Sequence, residues 1–244
     1  FEPYRVFLRP LRDKMRITHR AIENHLVRKK PLNQKKLLSE KEEILKPLRT
    51  VRESLEQNQS ENIASGDLLD LMRRVKCFGI NLAKLDIRQE SSRHSQLIYE
   101  LVKKKFKSNY NHWGENKKID FLSNQLRKNK NCINKLKFKN KENKETWLTF
   151  KILSEQPEEC LGAYVISMTS SASDILTVSF LQKEAGIKKK LRVVPLFETL
   201  DDLINSKPVM EKLFSFPWYR KLINYKQEIM IGYSDSSKDA GKLS

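Results

Sequence analysis

The stretch AYVISMTSSASDILTVSFLQKEAG, residues 163–186, decides the fold. AYVISMTS reads as a strand, and SASDILTVSFLQKEAG as a helix that stops at Gly186, a glycine in the C′ position. A strand that feeds a helix is half of a βα unit. Working outward, the same order recurs. INLAKLDIRQE (80–90) alternates apolar and polar residues through Leu82, Lys84, Leu85, Asp86, Ile87 and Arg88, and SSRHSQLIYELVKKK (91–105) then places Leu97, Ile98, Leu101 and Val102 at helical spacing. RVVPLFETL (192–200) reads as a third strand, KPVMEKLFSFPWYRKLINYK (207–226) as one or two helices, and EIMIGYS (228–234) as a fourth strand. Strands alternating with helices predict a parallel sheet or part of a barrel. Pro195 sits awkwardly in its strand, because proline donates nothing to a ladder.

Before residue 80 the pattern is helical. Leu8, Leu11, Met15, Thr18 and Ile22 share one face, as do Ile44, Leu48, Val51 and Leu55, and KKPLNQ (29–34) between them predicts a turn joining antiparallel helices. A third helix is expected after SGD, carrying Leu68, Leu71, Met72, Val75 and Phe78, with Asp67 as its N-cap. Residues 103–145 break the rhythm: 14 Lys and Arg against 4 Asp and Glu, with many Asn. They read as a surface excursion with helices at KKIDFLSNQLRK and ETWLTFKILSE. The expected layout is therefore a helical region (1–80), a first strand and helix (81–102), a basic variable insert (103–147) and further β/α units (148–244). The fold class is mainly α with a partial parallel β/α barrel, an incomplete TIM-like barrel of about four strands flanked by long helices.

At 244 residues and 39% hydrophobic content the chain has enough apolar material for a packed core. Its formal charge of +18 favours anionic partners, more than half of it from the 103–145 stretch. A basic helical module for nucleic acid is thus an alternative function, although only Tyr110, Trp113 and Phe138 interleave the lysines. Cys77, Cys132 and Cys160 form no C-x-x-C pair, which argues against a disulfide framework and a zinc site and fits a reducing, cytoplasmic setting. Neither a membrane span nor a signal peptide is expected, and the absent initiator Met suggests an excised piece. No G-x-S-x-G, P-loop or G-x-G-x-x-G occurs.

In parallel β/α assemblies reactive residues gather at the C-terminal ends of strands. Those ends carry Arg88, Gln89 and Glu90, then Ser167 to Ser171, then Glu198 and Thr199, then Asp235 to Lys238. Two carboxylates, Glu198 and Asp235, suit Mg²⁺ or Mn²⁺ as hard oxygen ligands with positions left for water and substrate. Arg88 and Lys238 would hold a phosphate or carboxylate. Each has a plainer reading: Glu198 as an acidic helix start with Asp201 and Asp202, Asp235 as a cap for a helix from Ser236, Arg88 as a surface ion pair. The four histidines read as structural.

At these strand ends the sequence resembles the phosphoenolpyruvate carboxylases, through FEPYRVFLRPLRDKM (1–15), LDIRQESSRHS (85–95), residues 163–187, VVPLFETLDDL (193–203) and IMIGYSDSSKDAG (229–241). The resemblance implies conversion of phosphoenolpyruvate and bicarbonate to oxaloacetate and phosphate, through carboxyphosphate and the enolate of pyruvate. It implies Mg²⁺ or Mn²⁺ on Glu198 and Asp235, Arg88 facing the substrate phosphate, Lys238 lining the same pocket, and a homo-oligomer, a tetramer in the family. It also implies a much longer protein with TAHPT and HGRGG motifs that this sequence does not contain, so the piece alone is expected to be inactive. Lys84 and Pro217 depart from the family pattern, at positions where an arginine and an acid are usual.

Overall fold

We describe the chain from a computed structural model, covering residues 2–30, 32, 36–81, 83–128, 133 and 137–241. Phe1, Leu82, Cys132 and part of the KKPLNQ turn lie outside the described residues. The chain divides into two compact units, residues 1–84 and 85–244.

The first unit is helical: α1 (Pro3–Arg28), α2 (Glu42–Gln57), the single turn α3 (Glu61–Ala64) and α4 (Asp67–Phe78). Its core joins Ile44, Leu45, Leu48 and Val75 to Leu8, Leu11, Leu68 and Met72. The expected face of α1 is only partly used, since Met15 and Ile22 remain exposed. Thr18 is buried because its Oγ1 accepts from the Leu38 N–H at 2.9 Å and donates to the Lys14 carbonyl at 2.8 Å. Asp67 is a first-turn residue of α4, preceded by Gly66 in the cap position, with no side-chain cap bond.

The second unit is built on four parallel strands in the order β1-β2-β3-β4. These are β1 (Leu85–Glu90), β2 (Leu161–Ser167), β3 (Arg192–Phe197) and β4 (Met230–Ile231). Chain order across the sheet, with no reversal, makes a partial parallel α/β layer. The helices are α5 (Ser91–Phe106), α6 (Glu115–Arg127), α7 (Lys141–Glu155), α8 (Ala172–Ala185), α9 (Leu200–Phe214), α10 (Pro217–Leu222) and α11 (Tyr233–Ala240). Strand alternation sorts the two faces. Tyr164, Ile166 and Phe197 join the large helix-side core, whereas Ala163, Val165, Val194 and Leu196 form a separate cluster on the other face. Helix α8 lies at the centre of the helical layer, and every residue of it except Lys183 is buried. A helix covered all round has no polar stripe, which is why 172–185 shows weak helical periodicity in the sequence. It is closed at one end by a Ser171–Asp174 capping box and at the other by Gly186 at φ 82°.

Two elements differ from the sequence reading. Helix α9 begins at Leu200, not Lys207, because Thr199 and Asp202 form a capping box there and Pro208 is carried inside the helix. The fourth strand spans only Met230–Ile231, and Pro195 accounts for this. The N–H and C=O of a strand residue point to the same neighbour and alternate along the strand. The Phe197 carbonyl accepts from the Gly232 N–H and the Val193 carbonyl from Gln227 Nε2, so the nitrogen of Pro195 also faces β4, where it has no proton to give. Gln227 Nε2 fills the gap, donating to the Glu228 carbonyl at 2.8 Å.

The lysine-rich stretch is not merely a surface excursion. Tyr110, Ile119 and Leu122 belong to the main core, and Trp113 and Phe138 pack against it. Among the described residues no helix is long and apolar enough to cross a membrane.

Candidate functional site at the strand ends

Register places Arg88 opposite Val165 and Val165 opposite Val194, so Arg88 stands on the face turned away from the helices. Four residues beyond Val194, on the same face, comes Glu198. The Arg88 guanidinium reaches over β2 and donates Nη2–H to Glu198 Oε1. The Glu198 side chain is 9% exposed and that of Arg88 is 55% exposed, so a nearly buried carboxylate meets a guanidinium that still sees water.

The backbone around Glu198 is held from two sides. Asp202 Oδ2 accepts from the Thr199 N–H at 3.1 Å and the Glu198 N–H at 3.4 Å. Asp239 of α11 accepts from the Leu200 N–H at 2.9 Å, tying the last helix to the start of α9. Asp201 and Asp202 are thus the acidic first turn of α9, while Glu198 precedes the cap and points to Arg88. Gly232 explains how α11 approaches: a Cβ built there would lie 3.0 Å from Glu198 Cγ and 3.4 Å from its Cα. A side chain at this position would make Glu198 give way by a few tenths of an ångström, so glycine lets β4 end close against it. One turn further, Asp235 occupies the first turn of α11, exposed, 3.8 Å from Lys238 Nζ. Lys238 is the most exposed of these groups, its side chain 79% accessible.

Behind this face a buried chain of hydrogen bonds seats the end of β1. Tyr164 OH donates to Gln89 Oε1 at 2.8 Å, and His94 Nε2 lies 2.8 Å from the same hydroxyl. Since the hydroxyl proton goes to Gln89, His94 donates from Nε2. Its Nδ1 is buried with no partner, and burial, aided by Arg93, pushes the imidazole down to about 3. At the other end of β1, Asp86 Oδ1 accepts from the Ala163 N–H at 2.6 Å, where the β1–β2 ladder shifts register. Its carboxylate lies where a Cβ on residue 162 would be, so any side chain there would push Asp86 off the Ala163 N–H.

The structure therefore brings Arg88 and Glu198 together and sets Asp235 and Lys238 on the helix that abuts Glu198 through Gly232. Gly232, Asp239 and the His94–Tyr164–Gln89 chain were not found from the sequence; the glycine inside EIMIGYSDSS was the one available signal. Among the described residues no group of three His, Cys, Asp or Glu side chains could hold a metal. Carboxylates are hard oxygen donors, a chemistry that fits a divalent cation keeping water or substrate oxygens among its ligands and does not fit zinc.

Parallel strands with polar groups collected at their C-terminal ends are the scaffold of the large β/α class whose sites form at that edge. The comparisons narrow the class: the phosphoenolpyruvate carboxylase family model matches residues 1–244, and the chain belongs to that family. It is 45% identical over 243 residues to the phosphoenolpyruvate carboxylase of Aliivibrio salmonicida, covering 100% of this chain and 28% of that protein. It is 41% identical over 242 residues to that of Proteus mirabilis, covering 99% of the chain and 28% of the relative. With the C4 phosphoenolpyruvate carboxylase of Flaveria trinervia it shares 43% identity over 244 residues, 100% of the chain and 25% of the relative. The chain spans about a quarter of the length of these relatives, and the match runs through the lysine-rich stretch.

Proposed function

We infer that these residues form part of the active site of an enzyme that carboxylates phosphoenolpyruvate with bicarbonate, giving oxaloacetate and phosphate. The observation that carries this reading is the Arg88–Glu198 contact beside Gly232 and α11, a cation and carboxylates drawn to one strand edge from sequence positions far apart. Glu198 and Asp235 would hold Mg²⁺ or Mn²⁺, and such an ion supplies Lewis-acid stabilisation of an enolate oxygen. Arg88 would move from Glu198 to the substrate phosphate, which its planar fork can take in a bidentate contact. Lys238, whose side chain is exposed, would neutralise the phosphoryl group as it passes to bicarbonate. Phosphoryl transfer to bicarbonate yields carboxyphosphate and the enolate of pyruvate; carboxyl transfer to the enolate carbon then releases phosphate. Residues 1–244 alone would lack activity, because the charge gathered here is too small to cradle carboxyphosphate.

The test uses the full-length protein and follows oxaloacetate formation from phosphoenolpyruvate and bicarbonate with Mg²⁺. Glu198→Gln and Asp235→Asn should each lower kcat by about 100-fold or more, a loss of about 2.7 kcal/mol of transition-state stabilisation, and weaken Mn²⁺ binding. Arg88→Gln should raise KM for phosphoenolpyruvate. Either carboxylate variant turning over within about threefold of the parent would remove this reading.

A further inference from the structure

The two cations proposed above for the substrate are both paired, in this structure, with the two carboxylates proposed for the divalent ion: Arg88 with Glu198 and Lys238 with Asp235. The pairs differ in kind. Lys238 and Asp235 stand one turn apart on α11 at 3.8 Å, with side chains 79% and 52% exposed, so water screens them and the pair contributes little. Glu198 has a side chain only 9% exposed, and a carboxylate taken so far out of water needs a counter-charge in contact with it. Arg88 is that counter-charge, donating Nη2–H to Glu198 Oε1.

The two partners are not equally free to part. The Glu198 stem lies against Gly232, where an added Cβ would come within 3.0 Å of its Cγ, and the Glu198 and Thr199 N–H groups are both bonded to Asp202. The Arg88 side chain is 55% exposed, so its guanidinium can turn into water and regain hydration. Opening the pair to leave Glu198 charged and unpartnered is costly, because the carboxylate stays desolvated. Exchanging the guanidinium for another cation at Oε1 avoids that cost. The one contact therefore keeps Glu198 from a divalent ion and keeps Arg88 from an anion, and a single exchange frees both.

We propose that Arg88 is a stored counter-ion: it neutralises Glu198 until a divalent cation takes the carboxylate, and the guanidinium so released becomes the anchor for the substrate phosphate. This rests on the metal-site reading above and adds a direction to it, since Arg88 competes with the ion and serves the anion only after losing that competition. The test uses the full-length protein freed of divalent ions by chelation. In a Mn²⁺ titration without substrate, followed by electron paramagnetic resonance, Arg88→Gln should bind the ion about fivefold or more tightly than the parent. The gain should persist in about 0.5 M KCl, because salt screens charges acting through water far more than a contact at a nearly buried carboxylate. Calorimetry with phospholactate, an analogue with no enol to release, reads the other half. Without divalent ions parent and Arg88→Gln should bind it within about twofold of each other, and with saturating Mg²⁺ the parent should bind it about tenfold more tightly than the variant. Comparing two proteins under one condition cancels the ion's own attraction for the anion. The parent alone gives a third readout: phenylglyoxal labelling of Arg88, quantified by peptide mass spectrometry, should quicken about threefold or more when Mg²⁺ is added. Glu198→Gln binding Mn²⁺ as well as the parent would remove the metal-site reading itself. Weakened binding in Glu198→Gln, with no salt-resistant gain in Arg88→Gln, would overturn the stored counter-ion alone. So would an Arg88 contribution to phospholactate binding that is the same with and without Mg²⁺, or a labelling rate that Mg²⁺ leaves unchanged.

Discussion

Replacing His94 by glutamine should make the protein less sensitive to acid, by an amount that follows from the imidazole's surroundings. His94 is fully buried against Tyr164 and Phe150, with Arg93 adding like charge, and its pKa falls from the ordinary 6.5 to about 3. A histidine depressed in the folded state contributes stability that is intact above the unfolded value. That stability is lost as pH falls toward the folded one, because the unfolded chain takes up a proton that the native chain refuses. The cost is about 1.4 kcal/mol per pH unit below 6.5, so between pH 7.5 and pH 5 this one group should remove about 2 kcal/mol. Glutamine has similar bulk and can still donate to the Tyr164 hydroxyl, but it does not titrate. Urea unfolding of parent and His94→Gln at both pH values isolates the term: the parent should lose about 2 kcal/mol more than the variant on acidification. Equal losses in the two proteins would refute the claim that the imidazole is held neutral. Because Gln89 shares the Tyr164 hydroxyl and adjoins Arg88, the variant also reports whether this chain of bonds steadies the guanidinium.

Gly232→Ala should force Glu198 to shift by a few tenths of an ångström, since the new methyl would meet its Cγ at 3.0 Å; Mn²⁺ binding, followed by electron paramagnetic resonance, should weaken while thermal stability falls only slightly. Gly162→Ala should be worse for folding, because Asp86 must leave and the Ala163 N–H loses its acceptor, a cost of about 1–3 kcal/mol measurable by chemical denaturation. Phe150→Ala removes a fully buried ring stacked on Tyr164 at 5.1 Å and should cost about 3–5 kcal/mol; a loss below about 1 kcal/mol would show that the helix-side core is loosely packed.

The alternation of strand and helix was legible because β2 and β3 are short and apolar and the helices after them open on capping residues, Ser171 and Thr199. The start of α9 was missed because Pro208 looks like a helix boundary, yet the Thr199–Asp202 box sets the start at Leu200, seven residues before Lys207. The length of β4 could not be read from its own residues, since it depends on a proline in the neighbouring strand. For the site, the strand-end rule located Arg88, Glu198, Asp235 and Lys238, but pairing depends on register. Whether Arg88 meets Glu198 or solvent is set by Val165 standing between Arg88 and Val194. The role of Glu100 was hidden for a similar reason: it accepts from the Lys139 N–H and from Asn143 Nδ2, which are 39 and 43 residues away in the chain.

The strict succession of strands across the sheet bears on how the second unit comes into being. From β2 onward each strand pairs with one already synthesised, so every new strand meets its neighbour in the chain before it. The unit can thus be laid down stepwise as it leaves the ribosome, every finished rung serving as the template for the next.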